Sequence, residues 1–552
     1  MPYRMTCTFH RWLSATLVAF FPLILLFSGC RRDDADRDPR TVFRYNEAAD
    51  ITSLDPAFAR DQANIWAVNQ LFNGLVQVDD ELAVKPCIAR SWEVSGDGLQ
   101  YTFHLRNDVF FHDDPCFPGG KGRKVVSEDF LYSFSRIIDP ATASPGSWVF
   151  GWTAENEPFG APDDSTFVIR LKKPFPPFAG ILTTQYCCVV PEEAVKHYGG
   201  EFRRNPVGTG PFRFAFWKEG VKLVLRKNLN YFETENGQRL PFLEAVSVTF
   251  LPDRQLAFLE FVKGKLDFIS GIDPAYKDEL LTREGNLNPK YAGRISLLRK
   301  PYLNTEYLAI QVDPASSLMK DHPLRIRAVR EAINCSFDRR MMIAYLRNNI
   351  GVPGCYGILP PGLPGADTSV RYGRYDPERA AKLLAGAGFP GGKGLPSFTL
   401  HSSADYLDIC KYIQFQANAL GIDLKIEVTP PAALKEMKAQ AKLPFFRASW
   451  IADYPDAESY LSLFVTENFC PAGPNYTHFS DAGYDRLYRQ AMAETDDSVR
   501  YGYYREMERL MMEQSPVIIL YYDEALRFVQ NNIRGLGINP MNLLSLKKVR
   551  KD

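Results

Sequence analysis

The stretch Phe445-Phe446-Arg447-Ala448-Ser449-Trp450-Ile451-Ala452-Asp453-Tyr454-Pro455-Asp456 begins as an apolar, strand-like run. It then passes through a Trp, an acid and a Tyr into a Pro-containing turn. That order suits a strand ending at a loop that presents an aromatic wall beside a carboxylate. A carboxylate withdrawn from water pairs strongly with an ammonium that fills its site. The same spacing also allows a buried Trp450, with Asp453 capping a following helix over 457–464. Spacing alone leaves both readings open.

Working outward, strands and helices alternate without repeats. Tyr101, Phe103 and Leu105 alternate with Thr102, His104 and Arg106, the period of a half-buried strand. Phe167, Ile169 and Leu171 repeat it, as do Leu223 and Leu225. Ser127 precedes Glu128 and Asp129, and Phe130, Phe134, Ile137 and Ile138 then follow at helical spacing up to Asp139-Pro140. Asp376-Pro377 predicts a capped helix through Leu384 that ends at Gly386 or Gly388. Asp481 and Ser498 are expected to open two more helices, the second ending near Ser515-Pro516. The chain is α/β or α+β, and its 552 residues exceed what one core usually organises.

The N-terminus reads as an export signal. Arg4 and Arg11 supply positive charge ahead of an apolar run, Leu13 to Phe27, too short for a comfortable bilayer span. Phe27-Ser28-Gly29-Cys30 follows, and then a charged run, residues 31–38. This ending resembles the lipobox of bacterial lipoproteins, in which Cys30 would become the acylated N-terminus after loss of residues 1–29. An uncleaved anchor is the rival reading. Either way, the bulk of the chain is expected outside the cytoplasm, tethered through a linker over 30–40. Besides Cys30, eight cysteines follow the signal, enough for up to four disulfides, with free buried thiols the alternative.

Lys+Arg and Asp+Glu are 65 each, giving a net charge of +0 and no broad footprint for nucleic acid. Enzyme signatures are scarce: no G-x-S-x-G elbow, no H-E-x-x-H, no complete phosphate or dinucleotide loop, and no C-x-x-C. His104 and His112 lie eight apart, a spacing that suggests structural residues rather than a metal site. Neither a metal nor a cofactor is expected.

An ordered series of short motifs carries a resemblance. It runs from Ile51-Thr52-Ser53-Leu54-Asp55-Pro56 through Ala89-Arg90-Ser91-Trp92-Glu93 and Asp139-Pro140-Ala141-Thr142-Ala143-Ser144-Pro145. It continues through Gly208-Thr209-Gly210-Pro211-Phe212, Ala332-Ile333-Asn334 and Ala380-Ala381-Lys382-Leu383-Leu384. Together they resemble the large solute-binding proteins of ABC importers, the class containing the oligopeptide- and dipeptide-binding receptors. The resemblance implies a two-lobed periplasmic-binding-protein clamp of class II type, mixed sheets flanked by helices, with no catalysis. One lobe would comprise 41–76, 206–300 and 516–552, with a subdomain over 77–205 inserted, and the other 301–515. Crossings near 302–310 and 516–522 would form a hinge.

By the same likeness, Asp453 would pair with a peptide's terminal ammonium and Trp450 would wall a side-chain pocket, with Tyr454 beside them. Arg60, Asp61 and Gln62 would run along the ligand backbone. The implied partners are a short peptide, an ABC permease with its ATPase, and the membrane through the lipid anchor, the receptor itself being a monomer in the cell envelope. Two positions depart from the peptide receptors: Gly146 stands where they often place a ligand-touching Tyr, and Leu520-Tyr521-Tyr522 ends in Asp523. A non-peptide solute, or a sensing or chaperone-like role, is the alternative.

Overall fold

A computed structural model describes residues 41–273 and 276–552. The signal peptide, Cys30 and the linker over 30–40 lie outside the described residues. Fourteen strands matter here. In chain order they are β1 (Val42–Asn46), β2 (Ala89–Val94), β3 (Gln100–Leu105), β4 (Phe159–Asp163) and β5 (Thr166–Arg170). After these come β6 (Phe212–Lys218), β7 (Lys222–Lys227), β8 (Ala245–Thr249), β9 (Phe268–Ser270) and β10 (Ile295–Ile310). The last are β11 (Phe398–Ser402), β12 (Leu424–Val428), β13 (Phe445–Ile451) and β14 (Val517–Gln530).

The main sheet runs β12-β11-β13-β10-β14-β9-β1-β8-β7-β6, and Val352–Pro353 adds an eleventh strand beside β14. It is mixed: β11 is parallel to β12 and β13, and β1 is parallel to β8 and β9. The long strands β10 and β14 pair antiparallel from Ile295 opposite Gln530 to Ala309 opposite Val517. They carry the sheet from one half to the other. Their ladder breaks between Pro301 and Thr305, where proline cannot donate to it. Beyond β10, a separate core gathers Leu308, Ile333, Leu400, Ile413 and Ile518.

The second sheet, β2-β3-β5-β4, is antiparallel. Its inner face presents Phe103, Phe167 and Ile169, all buried, as the alternation predicts. Helix α2 (Ser127–Ile138), the second after α1 (Gln62–Leu71), lays Phe130 and Phe134 against Phe167, with ring centroids 5.7 and 5.4 Å away.

Asp376 caps α3 (Pro377–Gly386) by accepting from the Arg379 amide, and Asp481 caps α4 (Ala482–Ala493) by accepting from Tyr484. Two expected starts shift. In α2 the Asp129 carboxylate takes the Val126 amide at 2.9 Å, while the Ser127 hydroxyl donates to the Asp163 carbonyl. Helix α5 (Asp497–Gln514) is capped by Asp496, two residues before Ser498, because that carboxylate reaches the Ser498 and Val499 amides. All eight described cysteines are free thiols, so of the two readings open from sequence the free-thiol one holds. His112 is structural: it is buried between Gly208 and Gly210, and desolvation lowers its pKa to about 4.

Candidate functional site

Strand β13 lies against β10, with Trp450 opposite Thr305 and Ile451 opposite Asn304. The chain leaves the sheet at Ala452, whose amide still bonds the Leu303 carbonyl at 2.9 Å. Helical structure resumes at Glu458–Leu461 and continues through a tighter turn at Ser462–Phe464. The capping alternative for Asp453 fails here, because Asp456 performs that task. Its carboxylate accepts from the Glu458 amide at 2.9 Å and is itself held by the Tyr504 hydroxyl at 2.9 Å. Asp453 is thereby left with a free carboxylate.

Backbone and neighbours fix this acid in place. Ser459 Oγ accepts from the Asp453 amide at 3.1 Å and from Trp450 Nε1 at 3.4 Å. The Trp450 ring is partly buried. Tyr454 is buried; its hydroxyl donates to Glu458, and Tyr488 donates to the same carboxylate at 2.5 Å. Tyr454 thus anchors the turn, and its ring meets Trp148 at 6.2 Å. The Asp453 side chain faces accessible space, yet protein crowds it enough to strip hydration and raise its pKa to about 6. Desolvation is the sole cause of that shift, so no cation neutralises the group.

Arg60 and Asp61 face each other in an exposed pair at 3.8 Å, worth little by itself. Together with Asp453 they act electrostatically on Tyr186. Burial is the largest influence pushing that phenol up to about 12, followed by the charge of Asp453; Asp61 adds to the rise and Arg60 opposes it. Nothing in the local sequence singled out Tyr186. The departure at Gly146 points to it, however: a Cβ on Gly146 would fall 2.2 Å from Tyr186 Cδ1. The space that a side chain at Gly146 would occupy is filled here by the Tyr186 ring.

Gln62, the first residue of α1, lines a cavity of about 410 Å³. Its wall includes Glu47, Arg254, Tyr302, Arg347 and Asp523; Trp450, Asp453 and Tyr454 do not line it. Asp523 is paired with Arg347 at 2.5 Å, which explains an acid at the end of Leu520-Tyr521-Tyr522. Close by, Arg447 donates to Glu306 and stacks 3.1 Å above Tyr406. Of the residues expected from sequence, Arg60 and Asp61 pair with each other, Asp453 acts with them on Tyr186, Gln62 opens into the cavity, and Tyr454 is internal. Glu47 and Arg347 carried no local signal.

Comparison with known proteins agrees with this architecture. The model for bacterial extracellular solute-binding proteins, family 5 Middle, matches residues 83–469. The chain is 27% identical over 501 residues to the glutathione-binding protein GsiB of Escherichia coli O6:K15:H31 (strain 536 / UPEC), covering 89% of this chain and 91% of that protein. Among solved structures it is similar to the periplasmic binding protein DppA from Helicobacter pylori in complex with the peptide STSA. That match has a TM-score of 0.75 at 24% identity, covering 92% of this chain and 98% of the other. HbpA2 from Haemophilus parasuis matches with a TM-score of 0.77 at 22% identity, over 93% of this chain and 100% of the other. These neighbours share the two-lobed fold of periplasmic binding proteins. With the family model spanning most of its length, the chain belongs to the bacterial extracellular solute-binding proteins, family 5.

Proposed function

We propose that this protein is a lipid-anchored, monomeric receptor of the cell envelope that captures short peptides between two lobes and delivers them to an ABC permease. It performs no catalysis; the partner ATPase hydrolyses ATP. Lobes over 41–76, 206–300 and 516–552 and over 301–515 close about β10 and β14, and the broken ladder at Pro301–Thr305 supports a bend there. The observation that carries the peptide reading is Asp453, a desolvated carboxylate without a cation. A terminal ammonium would supply the missing partner and restore the interactions lost with water. Arg60 and Asp61 act electrostatically on Tyr186 as Asp453 does, and Gln62 lines the cavity, which supports a role for this segment beside the ligand.

The glutathione-binding relatives fit within this reading, since glutathione is a tripeptide with one free α-ammonium. The test is calorimetry of residues 30–552 with tripeptides and glutathione, each free and N-acetylated. Free forms are expected to bind and acetylated forms to lose most affinity, while Asp453→Ala weakens the free forms by about 1–3 kcal/mol. Equal binding of free and acetylated peptides, or an unaltered Asp453→Ala, overturns the assignment.

A further inference from the structure

The cavity beside Gln62 holds a second unsatisfied acid. Three of its lining side chains are carboxylates: Glu47, Asp523 and Glu524. Asp523 is neutralised by Arg347, and Glu524 by Arg299 at 2.7 Å with a further bond from the Gly351 amide at 2.9 Å. The lining Arg254 is likewise taken, paired with Asp273 at 2.7 Å. Glu47 has no such neutralisation. Its Oε1 is buried without a hydrogen-bond partner, and burial is the only influence on its ionisation. Around it the cavity wall is aromatic, with Trp66, Phe258, Tyr276 and Tyr302.

An orphaned acid oxygen under aromatic faces is a receptor for a cation: the carboxylate supplies the charge and the ring faces supply a compatible surface. We propose that Glu47 is a second anchor, taking the cationic side chain of a bound peptide, lysine- or arginine-like, while Asp453 holds its terminal ammonium. The inference rests on the peptide reading above and adds the class of side chain. Arg60 and Asp61 act electrostatically on Tyr186 as Asp453 does, while Gln62 lines the cavity with Glu47, so one short segment is associated with both acids. A volume of about 410 Å³ admits a long side chain with its water.

The test compares Lys-Ala-Ala, Ala-Lys-Ala and Ala-Ala-Lys with the same three peptides carrying norleucine, which keeps the apolar stem without the charge. In the wild-type protein, lysine at one position is expected to bind about tenfold or more tightly than norleucine. That ratio should collapse towards one in Glu47→Gln, with cooperative unfolding retained. If the neutral peptides bind and no position prefers lysine, or if the preference persists in Glu47→Gln, this inference falls and the peptide reading stands. If no free-amine tripeptide binds, the peptide reading falls and takes Glu47 with it. If Glu47→Gln does not fold, a wild-type protein that shows no lysine preference still overturns the inference, and Glu47→Asp, which keeps the charge on a shorter stem, is expected to retain part of the preference.

Discussion

Gly146 follows a Pro at a turn and has φ −88°, a conformation open to any residue, so its small size needs another cause. That cause is the Tyr186 ring, whose Cγ and Cδ1 lie 2.4 and 2.2 Å from where a methyl group would stand. Gly146→Ala is therefore expected to destabilise the fold by about 1–3 kcal/mol, the usual range for overpacking. In a double-mutant cycle with Tyr186→Ala, much of that cost should vanish, because the clash has been removed. Additive effects in urea denaturation would show that the two residues do not oppose each other. At this scale the sequence was legible where chemistry and position coincided. Asp453 stands out because an acid follows a strand end, whereas Tyr186 and Glu47 acquire much of their surroundings from segments distant in sequence, such as Asp453 for Tyr186 and Arg254 and Tyr276 for Glu47.

The elements show which motifs are structural. Within Leu54-Asp55-Pro56, Asp55 is buried and accepts from the Ala57 amide at 3.0 Å at the start of the short helical turn Pro56–Phe58. Its two oxygens also receive Arg136 of α2, at 3.0 and 2.5 Å. The acid thus clamps the segment leading to Arg60 and Gln62 onto the smaller sheet's helix. Removing one partner of a buried pair leaves the other charge uncompensated, so Asp55→Ala is expected to cost about 3–5 kcal/mol. Hydrogen exchange should accelerate at Ala59 to Gln62 in that variant. A loss below about 0.5 kcal/mol in denaturation would remove Asp55 as the anchor. Alternating Tyr101, Phe103 and Leu105 and the capping Asp376 and Asp481 were readable because both signals are local. The order of the main sheet was not, since β10 and β14 pair across more than two hundred residues and no periodicity encodes that partnership.

For the whole molecule, the unpaired acids couple folding, cargo and pH. Asp453 rises from an ordinary carboxylate value to about 6, and Glu47 to about 7, both through desolvation. A raised folded-state pKa means that the native protein holds these protons more tightly than the unfolded chain does. Their contribution to stability is complete below the unfolded values near 4 and is lost as pH rises through about 6 and 7. On the proposed reading cargo affinity should move the opposite way, because an ammonium pairs only with the ionised acid. With Asp453 titrating near 6, tripeptide affinity should fall about tenfold between pH 7.5 and pH 5, the protonated fraction at the lower pH setting the loss. Glu458 and Glu508, raised to about 7 and about 8, also titrate in this range and influence stability. Glu458 is buried under two tyrosine hydroxyls and Glu508 accepts the Leu359 amide, so neither is placed to receive cargo. The difference between wild type and Asp453→Asn isolates the acid of interest. In Asp453→Asn, unliganded stability should decline less steeply from pH 5 to 7.5, and the pH dependence of peptide affinity should flatten. A variant that keeps the wild-type slope in affinity would mean that another group takes the ammonium.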